Sequence, residues 1–170
     1  MAKKLISHHI FAMSRAFVNE DIPSDDLPDR PISKYPNYVT EQGLALIETA
    51  LETARRDYAK AQALGDRELL SVTGRELRYW TARRASAQVV PIVANIKTVQ
   101  FGHVVTVRRE DGREQTFRIV GEDEADPANG SISHVSPLAR ALVGKRLGDK
   151  LRAGRDRAEI TAIAVRFAAE

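Results

Sequence analysis

The 170-residue chain contains no cysteine. That excludes a disulfide frame and a thiolate metal site, and it fits a protein of a reducing compartment. Long apolar runs are missing too: none approaches the roughly 18 residues of a membrane span, so no membrane insertion is expected. The opening MAKKLISHHIFAM lacks both a long apolar core and a small-residue cleavage site, and a cytoplasmic protein is expected. Charge of one sign is not in large excess. A net charge of +3 and a pI near 9.3 permit an acidic partner without demanding one, because acids and bases are mixed along most of the chain.

A phosphate-cradling loop is also missing, which decides the meaning of one conspicuous string. Asp123-Glu124-Ala125-Asp126 follows the strand-like TFRIV and spells the metal box of an ATP-driven helicase. Such a box works only beside G-x-x-x-x-G-K-[ST]. Gly144-Lys145 is followed by Arg146, and Ala139 stands where the first glycine belongs, so the acidic string serves no nucleotide. His8 and His9 have no nearby histidine or cysteine to complete a metal site, and Met13 opens a segment that offers an alternative start.

What is present falls into three stretches. Residues 1–38 form an arm whose later part carries Pro23, Pro28, Pro31 and Pro36 among acids, which predicts extended chain. Residues 39–90 read as an antiparallel helical hairpin. Thr40 is a candidate N-cap, and Leu44, Ile47, Leu51, Ala54, Tyr58 and Ala61 alternate steps of three and four, the seam of a coiled coil. Gly65 and Asp66 suit a left-handed stop and a new cap. A second seam over 67–90 takes Leu70, Thr73, Leu77, Trp80, Arg84 and Ala87, and Gly74 weakens that helix locally. In residues 91–170 the period changes to two. HVVTVRRE and EQTFRIVG flank Asp111-Gly112, a hairpin signal. GSISHV reads as a further strand, SPLARALVG as one short helix with Pro137 at its start, and AEITAIAVRF as a last strand. The fold class expected is α+β.

Residues 101–149, and above all FRIVGEDEAD and SPLARALVGK, strongly resemble the C-terminal domain of the bacterial transcript-cleavage and elongation factors GreA/GreB. Upstream, YVTEQGLALIETAL is similar to the start of the family's coiled coil, and ALGDR to its tip. The resemblance implies a small FKBP-like, antiparallel β domain with one short helix that docks on the rim of the RNA polymerase secondary channel. It implies a coiled coil that enters the channel, where acidic tip residues help hold a second Mg²⁺ belonging to the polymerase. A hard cation held weakly needs a further oxygen ligand, and a carboxylate supplies one. The chain itself would then be no enzyme and would keep no cofactor. It is expected to be monomeric.

On this resemblance the candidate tip acids are Asp66 and Glu68, and the docking residues are Val135, Ser136, Pro137 and Arg140. Two departures from the family pattern stand out. The second tip acid is displaced: GDRELL places Leu69 where the family has glutamate. Each arm of the coil is also about two turns shorter, and a loss of about eight residues withdraws the tip by roughly 12 Å. Channel occupancy with little cleavage is therefore expected, the alternative being an ordinary Gre factor that stimulates cleavage of backtracked RNA. Asp66 and Glu68 equally suit helix capping.

Two other classes remain open. Arg75, Arg78, Arg83 and Arg84, interleaved with Tyr79 and Trp80, make a candidate nucleic-acid-binding face on the second helix. A prolyl isomerase would need an aromatic-lined pocket, and the second half of the chain offers only Phe101, Phe117 and Phe167 as phenylalanines.

Overall fold

The computed structural model describes residues 28–153 and 156–165. The histidine pair at 8 and 9, Met13, Phe167 and the arm up to residue 27 lie outside the described residues. Among the described residues no helix is long and apolar enough to cross a membrane.

Helix α1 spans Glu41–Leu64 and α2 spans Arg67–Ser86. Thr40 caps α1 with its hydroxyl, which accepts from the Gly43 amide at 2.9 Å. Gly65, at φ 66°, stops the helix in the left-handed region, and Asp66 immediately caps α2 by accepting from the Leu69 amide at 3.0 Å. The two helices therefore turn back on each other within two residues. Their seam buries Ile47, Leu51, Ala54 and Ala61 on α1, with Leu44 and Tyr58 half-buried. On α2 it buries Thr73 and Gly74, while Leu70, Leu77 and Trp80 are half-buried. A Cβ at Gly74 would lie 3.4 Å from the Tyr58 ring, so the residue that lowers helix propensity also admits that ring.

The second seam departs from expectation at its end. Arg84 is exposed and pairs with Glu48 of α1, whereas Arg83 is buried at 2% exposure. The helix also stops at Ser86 instead of continuing to Val90. Strand β2 (Gln88–Val89) leaves it to pair in parallel with β1 (Tyr38–Val39), which closes the base of the hairpin.

The rest of the chain forms a five-stranded sheet in the order β5-β4-β3-β7-β6. Strands β3 (His103–Arg109) and β4 (Glu114–Val120) make the anticipated hairpin, with Gly112 at φ 83° in its turn. Strand β5 (Ser131–Ser133) joins β4 in parallel, so the sheet is antiparallel apart from this pair. Helix α3 (Pro137–Leu142) follows, then β6 (Lys150–Ala153), which sequence periodicity did not reveal, and β7 (Asp156–Val165).

Against β3, strand β7 carries a bulge at Thr161. Val105 faces Ile163 and Val107 faces Ile160. The extra residue lets two isoleucines three positions apart both point into the core, which strict alternation forbids. That core collects Val99, Ile119, Ile132, Leu151, Ala139 and Leu142 as well, the last two from α3. His103, fully buried, accepts from the Gln100 amide through Nδ1 and so donates from Nε2 to the Val93 carbonyl at 2.9 Å.

Candidate functional site

The acidic string that follows β4 meets the base of the helical hairpin. Gly121 starts it, because a Cβ there would lie 2.7 Å from the Tyr38 carbonyl oxygen. Asp123 then accepts from Arg83 Nε at 2.6 Å through one oxygen and from the Tyr79 hydroxyl at 2.7 Å through the other. Arg83 Nη2 donates to Asn37 Oδ1 at 2.7 Å and lies 3.5 Å from Glu122. Asn37 in turn donates to the Arg83 carbonyl at 2.8 Å, so the arm, α2 and the loop share one buried network.

Glu124 makes a second clamp on α1. It accepts from the Thr40 hydroxyl at 2.6 Å, and Arg118 stands 3.4 Å from its other oxygen while donating to Gln42 at 3.0 Å. The Glu124 carboxylate occupies the space a Cβ at Gly43 would need, 2.6 Å away. Removing one member of a buried pair costs about 3–5 kcal/mol because the partner charge is left uncompensated. Burial and the bond to Asp123 push the Tyr79 hydroxyl up to about 12, keeping it a donor. Sequence reading left this clamp unseen. Its signal was an acidic string with no nucleotide to serve, together with an arginine one position off the apolar seam.

The predicted docking residues come together beside this junction. Ser136 caps α3, accepting from the Ala139 amide at 3.2 Å, Pro137 takes the first helical position, and Arg140 is exposed. The Val135 amide donates to Ser133 Oγ at 3.3 Å. The preceding His134 ring packs 5.4 Å from Tyr38 and 5.7 Å from Phe101, which ties the loop to the hairpin base.

The predicted tip acids lie at the other end of the hairpin, about 36 Å away at 1.5 Å per residue along α1. Asp66 and Glu68 are both exposed, and Asp66 already uses Oδ1 as the α2 cap. Leu64, at 64% exposure, adjoins them. Among the described residues no three His, Asp or Glu side chains are grouped to hold a metal.

Three of the four arginines of the candidate nucleic-acid face are engaged elsewhere. Arg83 is buried in the clamp, Arg84 pairs with Glu48, and Arg78 pairs with Asp29 of the arm. Tyr79 and Trp80 meet edge to face, and Arg30 of the arm sits 3.6 Å above the Tyr79 ring while bonding Glu76. As for a prolyl isomerase, the two concavities described here have no aromatic lining: one lies over Arg108 to Glu159, the other over Thr40 to Arg118.

A helical hairpin held at its base by a small sheet domain, with the loop of residues 133–136 at the junction and carboxylates at the far tip, defines a class of two-part protein. Residues 94–165 match the family model described as transcription elongation factor, GreA/GreB, C-terminal. The chain is 36% identical over 143 residues to the transcription elongation factor GreA of Chloroflexus aggregans, covering 71% of this chain and 89% of that protein. It is 43% identical over 97 residues to GreB of Neisseria meningitidis serogroup B, covering 55% of this chain. The chain spans 60% of the length of that GreB. Among solved structures, the GreA/GreB factor of Nitrosomonas europaea matches at 22% identity with a TM-score of 0.39, over 75% of this chain and 98% of that one. The chain belongs to the GreA/GreB family.

Proposed function

We propose that this protein is a cytoplasmic transcription elongation regulator that binds RNA polymerase through the α3 loop at the rim of the secondary channel and inserts its hairpin into the channel. It acts by occupying the channel, with little stimulation of RNA cleavage, and is not itself a catalyst. Its relatives carry the name transcription elongation factor, which supports the general role. The observation that carries the finer reading is the tip. Asp66 is engaged as a helix cap, and the residue beyond Glu68 is Leu69, so a matched pair of free carboxylates is not assembled there. The polymerase's second Mg²⁺ would meet only Glu68 and the remaining oxygen of Asp66 at this tip, from further away than a longer coil would bring them.

A stalled, backtracked elongation complex tests this. The protein is expected to bind the complex and compete with a cleavage-active Gre factor while shortening little RNA by itself. Lengthening both helices by one matched heptad keeps the seam in phase and advances the tip by about 10 Å. That variant should gain cleavage, and Asp66→Ala should remove the gain. Robust cleavage by the unmodified chain, abolished by Asp66→Ala or Glu68→Ala, would establish the ordinary Gre mechanism instead. Docking is tested separately. Pro137→Ala with Arg140→Glu should weaken polymerase binding while the domain stays folded, because both side chains are exposed.

A further inference from the structure

The sheet has two unlike ends. Val120 and the acidic clamp lie at the end that holds the hairpin, whereas the β3–β4 turn and the Ala153–Asp156 end of the β6–β7 ladder lie at the opposite end, about 20 Å away along β3. At this far end a concavity of about 270 Å³ is lined by Arg108, Arg109, Lys150 and Arg157, with Glu110 and Glu159. Arg152 stands beside it, directly across the β6–β7 ladder from Arg157.

Neighbouring carboxylates leave this cluster with excess positive charge. Glu159 lies opposite both Arg108 and Lys150, and the only close ion pair it makes among the described residues is to Arg108, at 3.9 Å. Asp111 is engaged by Arg113, through 2.6 and 3.0 Å bonds, in the adjacent turn. Among the described side chains, four cations and Glu110 and Glu159 thus line the concavity at one end of one sheet, with Arg152 beside it as a fifth cation. Like charges directly opposite on antiparallel strands destabilise the sheet, and both arginines of the Arg152–Arg157 pair are exposed, so packing does not require them.

We propose that this concavity is a phosphate-backbone site for nucleic acid, distinct from the polymerase-docking loop and from the coil. Guanidinium groups take phosphate oxygens in a forked geometry, and four of the five cations are arginine. An anion between Arg152 and Arg157 also relieves the repulsion that the free chain bears. The site lies at the end of the sheet away from the hairpin base and from the loop that precedes α3, which leaves β5 beside Val120, so a chain docked through that loop can still use it. It stands whether or not the protein acts in the channel.

Fluorescence anisotropy of the full chain with labelled duplex DNA and with labelled single-stranded RNA of equal length, titrated from 50 to 200 mM salt, tests the proposal. Lys150→Glu with Arg157→Glu should weaken binding at least tenfold and reduce the log–log salt slope for duplex DNA by about 2. Arg78→Ala with Arg84→Ala on the coil should change neither. The relative effect on the two probes tells which nucleic acid the site prefers. Arg152→Glu is a second variant whose folding is not in question: it should raise the thermal midpoint by removing the like-charge pair, and still weaken binding. Polymerase binding without nucleic acid should be unaffected by all three sheet substitutions. Binding lost with the coil variants and kept with the sheet variants would overturn the proposal, as would binding of polyglutamate with no affinity for either nucleic acid.

Discussion

The two ends of the helical hairpin are built on opposite plans. At the base, Arg83 is bonded to Asp123 and Asn37 with Glu122 nearby, Thr40 is bonded to Glu124, and the side chains concerned are largely withdrawn from water. At the tip, the turn is held by backbone bonds and by one side-chain cap, Asp66 accepting from the Leu69 amide, and its neighbours are exposed. Buried charge networks are rigid because any displacement leaves a charge without a partner. An exposed turn has no such penalty. The hairpin is therefore a lever fixed in direction by its base, with a tip whose residues can change without altering where the lever points.

Breaking the base should have the largest effect. Arg83→Ala leaves Asp123 buried beside Glu122 and is expected to cost about 3–5 kcal/mol in urea unfolding. Arg83→Lys should recover only part of this, since an ammonium cannot serve Asp123 and Asn37 with one planar fork.

Tyr79→Phe removes one charge-assisted bond from the same network and should cost about 1.5–3 kcal/mol at neutral pH. Its pH dependence sharpens the assignment. The hydroxyl is raised from 10.0 to about 12 in the folded chain. Above pH 10 the unfolded chain therefore releases a proton that the folded chain retains, and stability falls as pH rises. The advantage of wild type over Tyr79→Phe should be fully present below pH 10 and shrink steadily towards pH 12. A difference that stays constant across that window would place the hydroxyl outside the network.

At the tip, Asp66→Ala should cost about 1 kcal/mol through the lost cap, and Asp66→Asn should restore nearly all of it, because the amide oxygen still accepts from Leu69. Stability and any effect on RNA cleavage then separate: the asparagine variant keeps the cap but offers no charged ligand. The smallest effect is expected where the arm crosses α2 in solvent. Asp29→Ala breaks the exposed pair with Arg78 and should change stability by at most about 1 kcal/mol, less at high salt.

Much of the molecule was legible from residue order. The α1 seam, the Thr40 cap, the Gly65 stop, the strands around Gly112 and the Pro137 start of α3 each depend on interactions within a few residues, so local spacing carried them. The misread part of α2 has a different cause. Periodicity placed Arg84 on the seam because it counts steps of three and four, yet the surface awaiting α2 at that height is the acidic loop 40 residues away. Arg83 turns toward that charge, Arg84 turns to Glu48, and the helix gives way to β2 at Ser86.

The sequence by itself determined two helices that must pair, a sheet with one short helix, and an acidic string without a nucleotide to bind, since each follows from hydrophobic period, turn chemistry or a missing motif. Only the tertiary structure decided that Asp123 and Glu124 fasten the hairpin to the sheet, that β5 lies parallel to β4, and that Arg152 and Arg157 face each other beside a cationic concavity. These are pairings across long stretches of chain. They arise from register and from the need of buried charges for partners, and neither leaves a local pattern in the order of residues.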